Sequence, residues 1–296
     1  MPDYIKYIDD VAIKLADLAY EIGDFNCAAE NYSKALDRLY GYNGDQMQPI
    51  WLAGELKHKL ESSNSKILQG KPILQSDFWS LTKSSFVKGN QCIKSLYLDK
   101  HKRSDKNPIT PEKQTLFSRG HSFEDTVRNE KFPGGINVKE KVGNFYFFNS
   151  YTRYLIDNSN TNFIYEASII EDSVLVMCDV LVKRNDDKLD IYEIKMNTEI
   201  NDAIHADLAI QFVICKKRFG EKLGSFNLIL RVNNEKQSFK IIDLTEELNA
   251  LSQGVEEKIQ NFKKILEEKE PTIPMGEHCV RPYECDFTNY CRKQIS

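Results

Sequence analysis

Apolar positions along this 296-residue chain change period, and each change predicts a different kind of structure. Near the N-terminus, ADLAYEIGDFNCAAENYSKALDRL sets Leu18, Ala19, Ala28, Tyr32, Ala35 and Leu36 at the spacing of a helix face. Gly23 and Asp24 break that period and predict a turn between two helices. Small side chains at Ala28 and Ala35 would let the helices approach, with Tyr20 and Tyr32 filling the space between them. A further helix is expected over about 49–62. Residues 62–76, with Asn64, Gly70, Lys71 and Pro72, follow neither hydrophobic period and read as a linker, with a domain boundary near residue 75.

Beyond that boundary two helical segments are expected, 83–100 and 111–130, the second opened by Thr110 as N-cap and Pro111 at the first helical position. The period then drops to two. NFIYEASI, SVLVMCDVLVKR and KLDIYEIKM are rich in β-branched and aromatic residues, and Asn185, Asp186 and Asp187 predict a turn between the last two. Residues 202–219 read as a helix, FNLILRV and SFKIIDL as strands, and 245–269 as a long helix. Helix, three strands, helix and further strands predict an α/β fold on a mixed sheet, residues 76–296, behind a small all-α module, residues 1–75.

Composition narrows the function classes. An apolar fraction of 41% suffices for a packed interior. No apolar run approaches the roughly 20 residues of a bilayer span. The opening MPDYIKYIDD carries acids where a signal peptide would carry bases, so a cytoplasmic protein with no membrane role is expected. The formal charge of −4 argues against a protein that coats nucleic acid through many phosphate contacts. Locally the sign reverses: residues 83–106 hold seven Lys or Arg against two Asp, a net of +5, which fits either a strand-gripping patch or a solvated helix face.

The candidate chemistry lies on the strands. Asp179 sits in an apolar run, VLVMCDVLV, where a carboxylate must be paired, hydrogen-bonded or bound to a cation to offset its desolvation. Glu193 and Lys195 in IYEIK are two positions apart, so strand alternation projects both from one face. An isolated E-x-K is common on solvated strands, but here both strands are otherwise apolar and Asp179 occupies the preceding one. The three would form an oxygen-rich site for Mg²⁺ or Mn²⁺, with Lys195 positioning a water or stabilising charge on phosphate oxygens. No Walker-type glycine loop, H-E-x-x-H or G-x-S-x-G occurs, so nucleotide hydrolysis, zinc proteolysis and serine hydrolysis lack local support.

Seven cysteines in a reducing compartment point to metal binding or catalysis before disulfides. Cys279, Cys285 and Cys291 recur at six-residue steps, whereas Cys27, Cys178 and Cys215 lie in apolar surroundings and are expected in the core. Cys92 stands apart from the trio; four thiolates would suit an iron-sulfur cube or a tetrahedral Zn²⁺, and spacing does not separate the two. His278 is a rival ligand beside Cys279.

In this pattern the chain resembles the PD-(D/E)XK nucleases, in which an Asp on one strand and an E-x-K on the next form the metal site. Residues 80–296, roughly, resemble the RecB-like branch. Its members follow the E-x-K strand with a helix carrying Q-x-x-x-Y; ADLAIQFVIC supplies Gln211, with Cys215 where the Tyr would be. They open with a helix bearing G-x-x-x-H or an acidic variant; RGHSFEDTV supplies Gly120 and Glu124, with His121 as rival. Glu166 resembles an additional acid of some members. Cys92 and the trio resemble the four ligands of a [4Fe-4S] cluster in AddB-type and CRISPR-adaptation exonucleases, although those have a short C-x-x-C step. The C-x5-C-x5-C ending and the Phe, Pro, Gly, Gly run at 132–135 are closer to an uncharacterised bacterial RecB-like family.

The resemblance implies a restriction-endonuclease-like fold and a Mg²⁺- or Mn²⁺-dependent deoxyribonuclease acting on single-stranded DNA or DNA ends. It implies a [4Fe-4S] staple, with Zn²⁺ as the alternative. Arg119, Lys216, Lys217 and Arg218 are candidates for contacting nucleic acid, although the last three would also end their helix favourably against its dipole. The alternative function is a non-catalytic nucleic-acid-binding subunit that keeps the fold. About 30 N-terminal residues resemble one tetratricopeptide repeat, which implies a protein-partner surface or an ordinary helical hairpin.

Overall fold

The computed structural model describes residues 7–41, 50–68, 78–143, 145–234 and 237–294. In chain order they form α1 (Asp10–Glu21), α2 (Phe25–Tyr40), α3 (Ile50–Leu68), β1 (Leu81–Thr82), α4 (Lys83–Gln91), α5 (Ile93–His101), α6 (Pro111–Lys131), β2 (Ile136–Asn137), α7 (Val138–Val142) and α8 (Phe148–Asn158). There follow β3 (Phe163–Glu171), β4 (Val174–Lys183), β5 (Leu189–Lys195), α9 (Asp202–Phe219), β6 (Leu223–Asn234), β7 (Gln237–Asp243), α10 (Thr245–Ile265) and α11 (Thr288–Lys293). Two compact units result, Met1–Asp77 with Val138–Ser159, and Phe78–Asn137 with Asn160–Ser296. Segment 138–159, for which the sequence pattern predicted no element, thus groups with the N-terminal helices.

In the first unit the turn between α1 and α2 forms at Gly23, whose φ of +85° suits a residue without Cβ, and Asp24 caps α2 by accepting from the Cys27 amide at 3.0 Å. Ala16, Ala19, Ala28 and Ala35 are buried, and the Tyr32 hydroxyl donates to Asp17 at 2.6 Å. The expected linker at 62–76 needs correction. Helix α3 continues through Leu68, because Ser62 pairs with the Tyr20 hydroxyl at 2.8 Å and buried Ser63 bonds the Lys59 carbonyl one turn back. Residues 69–77 lie outside the described residues.

The second unit is α/β: an open, mixed seven-stranded sheet ordered β2-β3-β4-β5-β6-β7, with β1 also paired to β4. Strands β3, β4 and β5 form an antiparallel meander, and α9 crosses over to β6, which runs parallel to β5. Alternation along β6 serves both faces: Ile229 packs with Val127 of α6, whereas Phe226 meets the Phe212 ring of α9 at 5.9 Å. On the α9 side, α10 packs against α4 through Phe262, and only a glycine fits opposite, since a Cβ on Gly89 would come within 2.6 Å of that ring.

The expected helix at 83–100 is two helices. Cys92 is extended (φ −161°, ψ 118°) between α4 and α5, and Gln91 donates to the carbonyls of His278 and Tyr283, both at 2.7 Å. A tertiary contact with the C-terminal tail therefore replaces helix continuity at this point. Among the described residues no helix is long and apolar enough to cross a membrane.

Candidate functional site

The β3-β4-β5 meander is opened at one level by its own carboxylates. Pairing of β3 with β4 runs in register on both sides of Glu166 and Asp179 but not through them, and Glu166 adopts a φ of +53°. A left-handed conformation at a side chain other than Gly, Asn or Asp is strained, and such strain gathers at functional positions. On the other edge, β4 pairs with β5 only as far as Val180 with Tyr192. There Asp179 Oδ2 accepts from the Ile194 amide at 2.7 Å, so a carboxylate stands where the ladder would continue.

Three carboxylates converge at this opening. Oxygen atoms of Glu124 from α6, Glu166 from β3 and Asp179 from β4 all lie within 4.8 Å of one another. Burial pushes Asp179 well above the usual carboxylate range, reinforced by Glu193, and burial likewise raises Glu124. Arg128, one turn after Glu124, offsets part of this charge by donating to Glu166 at 2.7 Å. Tyr165 holds it, its ring 5.3 Å from the guanidinium and its hydroxyl on the Phe132 carbonyl. The Gly135 amide donates to that hydroxyl at 3.0 Å, and a Cβ at Gly135 would fall within 2.3 Å of the ring, which gives the 132–135 run a local function.

Glu193 stands near enough to this group to raise Asp179, while its own partners are two lysines, and His121 lies beside Glu124. Glu193 is 1% exposed, and its Oε1 accepts from Lys195 at 2.6 Å and from Lys83 at 2.9 Å. Burial alone would raise its pKa, but the two ammonium groups outweigh burial and hold it down, to about 2. Asp207 of α9 completes the square, 2.8 Å from Lys195 and 3.4 Å from Lys83. Its two carboxylates keep Lys195 protonated, well above the usual lysine range, against the effect of burial. Among the described residues Glu193 Oε2 has no hydrogen-bond partner. The His121 ring is 67% exposed and 3.6 Å from Glu124.

Sequence reasoning missed Lys83, Asp207 and Arg128. Asp207 was open to inference, because it lies one helical turn before Gln211 and so on the same face. Lys83 comes from a distant helix, and no local pattern marks it.

Gln211 is fully buried, and neither amide atom has a hydrogen-bond partner among the described residues. Cys215, one turn further, packs its thiol 3.7 Å from that of Cys178 in the core, as expected for both. Lys216, Lys217 and Arg218 are not brought to the acidic site. Lys217 pairs with Asp172 at 2.9 Å and Glu256 at 3.0 Å, Arg218 approaches Glu171 at 3.9 Å, and Lys216 bonds Asn249. They tie the end of α9 to the β3-β4 turn and to α10. Arg119 lies on the exposed half of α6, within two turns of Glu124.

The second cluster is sulfur. Cys92, Cys279, Cys285 and Cys291 line one cavity, with His278, Met275 and Phe287 among its other walls. Burial raises the thiol pKa values of Cys92 and Cys291, and the neighbouring thiols add to it. Among the described residues no three of these sulfurs lie within 4.8 Å of one another. The tail is clamped beside them: Glu270 meets Lys102 at 2.9 Å, Lys94 at 3.3 Å and the Tyr290 hydroxyl at 2.9 Å. No protein-family model matches the chain, and a search of the curated proteins finds no match either.

Proposed function

We propose that the protein is a metal-dependent nuclease of the PD-(D/E)XK superfamily, RecB-like branch, which hydrolyses DNA phosphodiesters on single strands or ends. The observation that carries this reading is the meeting of Glu124, Glu166 and Asp179 where the sheet is opened, one residue from buried Glu193 and Lys195. The order α6, β3, β4, β5, α9, β6 supports a restriction-endonuclease-like core, since the acids, the E-x-K strand and the glutamine helix follow in the sequence that resemblance requires.

The donor set fits a hard cation. Three carboxylates sharing a small volume, two of them pushed up by burial, favour Mg²⁺ or Mn²⁺ over an empty site. When bound, such an ion polarises the scissile phosphate and lowers the pKa of a bound water. Glu124, Glu166 and Asp179 would hold it, with Arg128 limiting the excess negative charge on Glu166. Glu193 and Asp207 keep Lys195 charged and aimed, so its ammonium is available to stabilise charge developing on phosphate oxygens. Gln211, one turn from Asp207 on α9, keeps an amide without a partner among the described residues.

Four thiols around one cavity suit a [4Fe-4S] cluster, the group the resemblance favours, with Zn²⁺ as the alternative. Either metal would staple Cys92 to the tail across the whole sheet unit. The alternative reading, a non-catalytic subunit docked through the helical unit, rests on Arg128 and the two lysines, which already balance much of the acid.

Labelled single- and double-stranded DNA incubated with Mn²⁺ tests the reading, wild type against Lys195→Ala. Cleavage by wild type that the variant loses is expected; cutting by neither overturns the enzyme and leaves the binding subunit. A broad absorbance near 400 nm in anaerobically purified protein is expected of the cluster, roughly where iron-sulfur centres absorb.

A further inference from the structure

Beside the acidic site, an open groove of about 390 Å³ runs between the exposed half of α6 and the ends of β5 and β6. Ligand sites occupy roughly 300–1,000 Å³. One wall carries Ser118, Arg119, Ser122 and Phe123, and the other carries Met196 and Arg231. Phe123 immediately precedes Glu124, and Met196 immediately follows Lys195, so both walls are continuous in sequence with the proposed catalytic groups.

The chemistry of the groove is that of a phosphate track with an apolar floor. Arg119 and Arg231 are exposed and form no ion pair among the described residues, in contrast to Arg128, Arg184, Arg218 and Arg281, which all meet carboxylates. In a chain of net charge −4, two unneutralised guanidinium groups facing one groove form a local positive field. The Ser118 and Ser122 hydroxyls donate to the carbonyls one turn back, both at 3.1 Å, which leaves the two guanidinium groups as the phosphate contacts of the groove. Phe123 and Met196 supply the apolar surface on which an unpaired base can stack; single-strand grooves combine a basic track with such platforms.

Resting on the nuclease reading, we infer that this groove seats single-stranded DNA, with Arg119 and Arg231 on its phosphates and a base against Phe123, feeding the strand toward Glu124, Glu166 and Asp179. Duplex DNA hides its base faces and cannot use the Phe123 platform. Inorganic polyphosphate shares the phosphates and lacks the bases.

Binding measured without divalent metal separates this inference from catalysis. A fluorescent oligothymidine titrated into full-length wild type, the Arg119→Ala, Arg231→Ala double variant and Phe123→Leu should give three affinities. The double variant is expected to bind at least about tenfold more weakly and to flatten the salt dependence by roughly 1.4 in log Kd per log salt, about 0.7 for each lost phosphate contact. Phe123→Leu keeps the packing on the core, should weaken oligothymidine about fivefold, and should leave polyphosphate binding unchanged. Thermal melting of each variant checks folding. Equal affinities for wild type and the double variant, or loss of polyphosphate binding alone, overturn the groove. Unchanged binding differences with no Mn²⁺-dependent cleavage overturn the nuclease reading and leave the groove standing.

Discussion

The acidic site and the sulfur cavity lie in the same unit and solve the same problem in opposite ways. Each gathers reactive side chains from segments far apart in the chain. Burial works against ionisation of the acids, so the fold sets Arg128, Lys83 and Lys195 around them and opens the sheet to accommodate them. Burial raises the Cys92 and Cys291 thiols, so these two need no counter-charge until a metal draws off their protons. Charge balance is thus built into one site and deferred in the other.

The largest expected effect breaks the acidic side of this contrast. Asp179→Asn keeps an acceptor for the Ile194 amide and removes a buried charge, so Mn²⁺-dependent cleavage should fall at least ~10³-fold while the metal-free protein melts at a higher temperature. The sign follows from linkage: a carboxyl whose folded pKa is raised binds its proton more tightly in the folded state, so its contribution is most favourable at low pH and is lost as pH rises through the folded value. A lower melting temperature for the metal-free variant would break the comparison.

Next in size is the sulfur side. Cys92→Ser should abolish metal loading, read as iron or zinc per chain, and lower the melting temperature of loaded protein by roughly 10 °C or more, as loss of a structural metal does. Applied to protein stripped by chelator, the same substitution should shift melting little, because neutral thiols carry no balancing debt. An equal loss in both forms would show that the cavity depends on packing alone.

Lys83→Met sharpens the contrast further. It leaves buried Glu193 with a single ammonium partner, and unfolding in urea should show a loss of about 3 kcal/mol. Glu193 should then titrate higher than about 2, seen by carboxyl NMR. An unchanged titration would show that Lys83 does not contribute.

The smallest effect concerns the tail clamp. Burial works against ionisation of Glu270, but Lys102, Tyr290 and Lys94 hold its pKa down to about 2. Its contribution is present above about 4.5 and is lost as pH falls toward 2, so amide exchange in 270–291 should accelerate over that window in wild type and not in Glu270→Gln. The stability difference at neutral pH should stay under about 1 kcal/mol, since the clamp is partly solvated.

Much of the sheet unit was legible because strand and helix periods are local. The runs around Asp179 and Glu193 are apolar at both parities, as buried strands require, and Pro111 after Thr110 announced α6. Beyond α7 and α8, which the pattern did not announce, other features escaped for physical reasons. β1 and β2 are two residues each and form only by pairing with β4 and β3, and the break at Cys92 depends on Gln91 reaching carbonyls nearly two hundred residues away. Within the site, Glu124, Glu166, Asp179, Glu193, Lys195 and Gln211 were all named from sequence, but their division of labour was not. Which carboxylates share a cluster depends on backbone conformation at Glu166 and on competition by lysines, neither of which has a local signature.

By itself the sequence determined the periods, the residue types and therefore the menu: acids within apolar strands must be compensated, and cysteines at regular steps must converge or lie idle. Tertiary structure alone decided the partners. It gave Glu193 two ammonium partners, drew Glu124 and Glu166 together with Asp179, and turned Lys216, Lys217 and Arg218 to brace α9. The physical reason is that hydrophobic period acts over a few residues, whereas Coulomb pairing acts through space between segments that only the folded chain brings together.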